Sequence, residues 1–201
     1  SMKTFADRGI GLHYLVKIRH DDYPQAADRV AENGIYYEQD VTEAEYTACF
    51  ELKGWTDTRR LTDIIHYENA CRRLYEGIKG LIDFSNHKNI LIIGTEEFMF
   101  AGLYIGKCLE EEGCCVKFHA TTRSPIAVSS SEEYPLHERY ALSSVYEEDR
   151  RIFIYDIGAY DAVIVMTDTQ QKGAKRQKGE ISLLNAVRSR NDIVYLVRWC
   201  E

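Results

Sequence analysis

The chain predicts a three-layer α/β fold, with a mostly parallel sheet covered by helices on both faces and a mainly helical region before it. Two observations carry this. Ile90-Leu91-Ile92-Ile93 and Ala162-Val163-Ile164-Val165-Met166 are continuous apolar runs without alternation. Strands of that kind are buried on both faces, as in parallel sheets. Helical segments lie between the runs, and strands alternating with helices is the order that a parallel sheet needs.

Elements follow in chain order. Leu12, Tyr14, Val16 and Ile18 alternate with His13, Leu15 and Lys17, the pattern of a partly buried strand. Pro24 opens a short helix and Gly34 closes it. Thr42 and Glu45 have capping-box spacing for a second short helix ending near Gly54. A longer helix, capped near Thr56 or Asp57, carries Leu61, Ile64, Ile65, Cys71, Leu74, Tyr75, Ile78, Leu81 and Ile82 on its apolar face. Residues 3–88 therefore form the helical part.

The character changes at Ser85-Asn86-His87-Lys88, and residues 89–201 form the α/β part. Strands are expected at 89–93, 115–119, 152–155, 162–166 and 193–197. Helices are expected at 98–112, stopped by Gly113, and at 180–189.

Composition narrows the function. With 201 residues, 45% of them hydrophobic, the chain can bury a sizeable core. No apolar run approaches the roughly 18 residues of a membrane span, so a soluble protein is expected. Six cysteines show no C-x-x-C spacing, and Cys114-Cys115 are adjacent, which fits a reducing cytoplasm better than a disulfide framework. A net charge of −7 argues against a broad nucleic-acid surface. No His/Cys spacing matches a zinc site, and neither G-x-G-x-x-G, G-x-x-x-x-G-K-[ST] nor G-x-S-x-G is present.

Ligands of such folds bind beyond the carboxyl ends of the strands. Polar residues follow four of the expected strands: Gly94-Thr95-Glu96-Glu97, Thr121-Thr122-Arg123-Ser124, Asp156, and Thr167-Asp168. Gathered at one crevice, they combine an anion fork with carboxylates and hydroxyls. Arg123 supplies planar donors for phosphate, with hydroxyls from Thr121, Thr122 and Ser124. Thr95, Glu96, Glu97, Asp156 and Asp168 are the candidates for ribose or substrate contacts. Acids such as Glu96 and Glu97 repel phosphate, so they suit ribose hydroxyls, a substrate amine or a magnesium ion bound with pyrophosphate. Each cluster taken singly also reads as a cap or turn.

The segment 163–174, from Val163 through Asp168 to Lys172-Gly173-Ala174, resembles the phosphoribosyl-pyrophosphate motif of type I phosphoribosyltransferases. There, four apolar residues precede two acids, and Thr-Gly follows three residues later. Here Thr167 replaces one acid and Lys172 the threonine. The resemblance implies that Asp168 holds ribose and that Lys172-Gly173 approach the 5′-phosphate. Lys172, Lys175, Arg176 and Lys178 make this segment basic, either as a loop closing over polyphosphate or as a solvated charge run.

Ile93-Gly94-Thr95-Glu96-Glu97-Phe98-Met99, followed by Thr121-Thr122-Arg123-Ser124-Pro125-Ile126, resembles the TRSP domain. Residues 134–140, Phe153-Ile154-Tyr155-Asp156 and Tyr160-Asp161 agree with it. That domain is found C-terminal to phosphoribosyltransferase domains, in bacterial tellurium-resistance and stress-response gene clusters. The resemblance implies that the chain binds or processes a phosphorylated ribosyl or nucleotide metabolite. The alternative is a non-catalytic module that docks onto a phosphoribosyltransferase. An intact acid pair would favour an enzyme, and its loss favours the module.

Overall fold

Five parallel strands form the central sheet, in the order β2-β8-β7-β3-β4. This computed structural model describes residues 5, 7–11, 30–39, 45–58, 60, 62–147, 149–170 and 178–201. The strands are β1 Ile35–Glu38, β2 Ala48–Lys53, β3 Asn89–Gly94, β4 Cys115–Ala120, β5 Glu138–Ser143, β6 Arg151–Tyr155, β7 Ala162–Thr167 and β8 Val194–Cys200. The helices are α1 Ile64–Lys79, α2 Phe100–Glu111 and α3 Lys178–Arg188, with a 3-10 turn at Phe84–Asn86. A second sheet, β1-β5-β6, joins β1 to β5 in parallel and β5 to β6 in antiparallel fashion.

Two compact units divide the chain, Ser1–Ala31 and Glu32–Glu201. In the first, the amides of Arg8 and Ile10 donate to the Phe5 carbonyl and close one turn. The expected strand at 12–18 and the helix from Pro24 as far as residue 29 lie outside the described residues, and residues 30–34, where that helix is expected to close, are not helical.

Alternation of side chains across the sheet divides the core of the second unit. Ile90, Ile92, Ile164, Met166, Val197 and Trp199 pack against Cys71, Leu74 and Ile78 of α1 and Ala101, Ile105 and Leu109 of α2. Leu91, Ile93, Val163, Val165, Val194 and Leu196 face the other way, toward Leu183, Leu184 and Val187 of α3. Tyr140 and Leu142 of β5 and Ile152 and Ile154 of β6 complete that second layer. Helices thus cover both faces as expected, but on one face α3 shares the cover with the small sheet. All six residues of β7 are buried, as befits a strand with partners on both sides and layers above and below.

Two more expectations are corrected. The short helix ending near Gly54 is instead β2, which runs alongside β8 from Ala48 to Lys53. Phe50 and Leu52 pack on the core, while Cys49, Glu51 and Lys53 are exposed, so the segment alternates with period two. Pairing with a strand about 150 positions later overrides the local helix-start signal. Next, α1 begins at Ile64, not near Thr56. Asp63 is its N-cap, with a side-chain oxygen accepting from the His66 amide at 2.9 Å. The helical reading of residues 3–88 therefore does not hold for 35–38 and 48–53, and α1 builds into the same core as the later strands.

Candidate functional site

The carboxyl ends of β3, β4 and β7 are neighbours in one parallel sheet, so the residues that follow them emerge at one edge. Thr95, Thr121 and Asp168 are gathered there, each at least nine-tenths buried. Trp55, just beyond β2, joins the same edge because its amide donates to the Cys200 carbonyl at 2.9 Å.

Asp168 is the hub. Its Oδ2 accepts from the Trp55 indole at 3.3 Å and its Oδ1 from the Tyr146 hydroxyl at 2.6 Å. Tyr146 also lies 2.8 Å from Thr95 Oγ1. A phenol has one proton, so when Tyr146 gives it to Asp168, the Thr95 hydroxyl is the donor in the second contact. Burial, followed by the Asp168 charge, pushes the Tyr146 hydroxyl above its ordinary range, which keeps it protonated and donating.

The β3–α2 turn is tight. A Cβ on Gly94 would lie 2.5 Å from the Phe98 carbonyl oxygen, so only glycine fits. Glu96 then adopts φ +50°, a left-handed conformation that costs a non-glycine residue about 1–3 kcal/mol. Three contacts hold it. Its amide donates to Thr121 Oγ1 at 2.9 Å, and its Oε1 accepts from Ser144 Oγ at 2.5 Å. Its Oε2 lies 2.9 Å from Arg150 Nη2, an ion-pair contact without hydrogen-bond alignment. The Glu96 side chain is only 1% exposed, so its charge braces the turn from within.

Each residue of the Thr-Thr-Arg-Ser stretch has a definite partner. Thr121 holds Glu96 as described. Thr122 bridges to Phe153 of β6 through both backbone groups, and its hydroxyl accepts from the Ser124 amide at 3.2 Å. The Ser124 carbonyl accepts from the Tyr155 hydroxyl at 2.7 Å. Arg123 projects outward, more than half exposed, and pairs with the equally exposed Glu97.

Asp156 is placed differently from its neighbours. It directly follows β6 of the second sheet, at φ +44°, and its carboxylate accepts from the amides of His137 at 3.0 Å and Glu138 at 2.7 Å. It fixes the start of β5, whereas Thr95, Arg123 and Asp168 follow strands of the parallel sheet. Lys172 and Gly173 lie outside the described residues.

Trp55, Ser144, Tyr146 and Arg150 are absent from the sequence reading, because no motif marks them and each arrives from a different part of the chain. Glu180 and Arg198 also escape it. Arg198 stands opposite Thr167 on β8, and its Nη2 donates to both Glu180 oxygens, at 2.7 and 2.6 Å. Burial opposes the Arg198 charge, but Glu180 outweighs it and the guanidinium is held above its ordinary value.

Beside Asp168 is a cavity of about 110 Å³, lined among the described residues by Thr58, Tyr67, Asp168 and the run Glu97-Phe98-Met99-Phe100. A larger hollow of about 520 Å³ opens among Lys79, Asp83, Lys88 and Glu112. That one sits by the amino end of β3, and the smaller cavity has the position where α/β sheets bind ligands. Among the described residues, no three His, Cys, Asp or Glu side chains converge as a metal site. All six cysteines are free thiols, and no described helix is long and apolar enough to cross a membrane.

No curated protein and no solved structure shows a significant match to the chain. A family model described as the TRSP domain, C terminus to PRTase_2, matches residues 55–186. This stretch runs from the tryptophan that holds Asp168 to the body of α3, taking in the whole β3, β4 and β7 edge. As the match spans well over half of the 201 residues, the chain belongs to the TRSP domain family, whose place is C-terminal to a phosphoribosyltransferase domain.

Proposed function

We propose that the carboxyl edge of the parallel sheet binds a phosphorylated ribosyl or nucleotide metabolite, in a bacterial stress-response pathway of the tellurium-resistance type that also employs a phosphoribosyltransferase. The observation that carries this reading is the Thr95-Tyr146-Asp168 hydrogen-bonded chain on the edge from which Arg123 projects. An acceptor held in place suits ribose hydroxyls, and an exposed guanidinium suits phosphate. Thr121, Thr122 and Ser124 shape the turn that carries Arg123, and Glu96 braces it. Lys172 and Gly173 would add phosphate contacts, with magnesium accompanying a pyrophosphate.

Calorimetric titration with phosphoribosyl pyrophosphate, ribose 5-phosphate and ribose tests this. The phosphorylated compounds should bind and ribose should not. Arg123→Lys, which keeps the charge but loses the planar fork, should weaken binding by about tenfold, near the 1.4 kcal/mol that a tenfold change represents. Its apo melting point should stay put, because the Glu97 pair is exposed. Equal binding of ribose and ribose 5-phosphate would refute the phosphate anchor.

A second reading, docking onto the phosphoribosyltransferase, has its own support. Ile64 and Ile65 at the start of α1, and Met99, Phe100 and Leu103 at the start of α2, are all exposed. Size-exclusion chromatography of this chain mixed with a PRTase_2 protein separates the two readings, since docking predicts co-elution that Ile65→Glu abolishes.

A further inference from the structure

We infer that Tyr146 occupies the sugar site of the empty protein, and that the metabolite enters by displacing its hydroxyl. This deepens the preceding reading and rests on it, since it concerns the ribose contacts at the edge from which Arg123 projects.

The phenol stands where a ligand hydroxyl would. Its oxygen lies 2.6 Å from Asp168 Oδ1, 2.8 Å from Thr95 Oγ1 and 3.3 Å from the Thr95 carbonyl oxygen. Thr95 directly follows β3 and Asp168 directly follows β7, two neighbouring parallel strands, and α/β folds bind ligands at such carboxyl ends. A phenol and a sugar hydroxyl have the same inventory, one proton to give and lone pairs to accept. The contacts that a ribose hydroxyl would make between these two strands are therefore already made by the protein's own side chain.

Tyr146 does not belong to the parallel sheet. It comes from the connection between β5 and β6, strands of the second sheet, and that connection is anchored without the phenol. The Ser144 amide donates to the Arg150 carbonyl at 2.8 Å, and the Arg150 amide donates to the Glu147 carbonyl at 3.1 Å. Ser144 Oγ donates to the buried Glu96 carboxylate and accepts from the amides of Tyr146 at 3.0 Å and Glu147 at 3.1 Å. The backbone that carries Tyr146 is thus held while its side chain rotates away. Departure costs the packing of one ring and the contacts of one hydroxyl.

The residues left behind stay in place. Trp55 still donates to Asp168 Oδ2 at 3.3 Å, and the Thr95 amide still donates to the Met166 carbonyl at 3.2 Å. A sugar hydroxyl arriving there meets an oriented carboxylate oxygen and an oriented threonine hydroxyl. The apparent affinity is that of the open form reduced by its population, so removing the competing hydroxyl tightens binding. A Tyr146 that only orients Asp168, or that itself touches the ligand, predicts the opposite sign.

Calorimetric titration of the native protein and Tyr146→Phe with ribose 5-phosphate and with inorganic phosphate tests this. Tyr146→Phe should bind ribose 5-phosphate about tenfold more tightly than the native protein, and inorganic phosphate, which brings no sugar hydroxyl, should bind both equally. Unchanged or weaker binding of ribose 5-phosphate by the variant would overturn the displacement and leave the ribosyl-phosphate reading standing. Equal tightening of both compounds would also overturn it, because the gain would then lie at the phosphate. A second measurement needs no variant. Tetranitromethane nitrates accessible phenols that can ionise, and burial beside Asp168 holds the Tyr146 hydroxyl protonated in the empty protein. Ribose 5-phosphate should raise nitration of Tyr146, read by peptide mass spectrometry, whereas protection or no change would overturn the displacement. Failure of ribose 5-phosphate to bind either protein would overturn both readings.

Discussion

Tyr146 donates its hydroxyl proton to Asp168 across 2.6 Å, joining the β5–β6 connection to the end of β7. A phenol giving to a carboxylate is a charge-assisted bond, and Tyr146→Phe removes it together with the contact to Thr95. A loss of about 1.5–3 kcal/mol in urea-denaturation stability is expected. Combining it with Asp168→Asn should give a loss smaller than the sum of the two, because both substitutions break one interaction. Strict additivity would mean that the two side chains act independently.

Glu180 and Arg198 form a buried pair, with side chains 1% and 11% exposed. Glu180→Gln leaves the guanidinium without its main counter-charge and should cost about 3–5 kcal/mol. Replacing both, by Glu180→Leu and Arg198→Met, should cost much less, since neither charge then remains buried. Denaturation curves of the single and double variants check this. A single variant as stable as the native protein would show that the pair contributes nothing.

Gly179 offers a test of sign. Helix propensity alone makes alanine better than glycine in α3 by about 1 kcal/mol. A Cβ there, however, would fall 2.3 Å from the Ser144 carbonyl oxygen, a backbone atom that cannot swing aside. Gly179→Ala should therefore destabilise by about 1–3 kcal/mol, as overpacked sites do. A raised melting point would contradict the close approach of α3 to the end of β5.

His119 on β4 makes stability pH-dependent. Burial holds its imidazole below the ordinary value, and the Asp156 charge opposes this only in part. The unfolded chain therefore takes up the proton first. Stability should fall as pH drops below about 6.5 and level off once the folded protein is protonated as well. His119→Gln should flatten that segment of the stability curve. An unchanged slope in the variant would assign the titration to another group.

Periodicity and composition alone determined most of the α/β part. Continuous apolar runs marked β3 and β7, and glycine marked the end of α2, because burial on both faces and helix termination are written in local residue choice. The same reading placed Thr95, Arg123 and Asp168 at one sheet edge, since residues after parallel strands share an edge. Three matters were decided only by tertiary structure. The segment holding β2 carries a helix-start signal and becomes a strand, because an open sheet edge at β8 offers it backbone partners. Asp156 follows an apolar strand like the others, yet that strand pairs with β5 in a separate sheet and the carboxylate is drawn to two amides there. The partners that orient Asp168 and Glu96, namely Trp55, Tyr146, Ser144 and Arg150, come from distant segments. No local pattern announces them, because a buried carboxylate takes whichever donors the packing brings within reach.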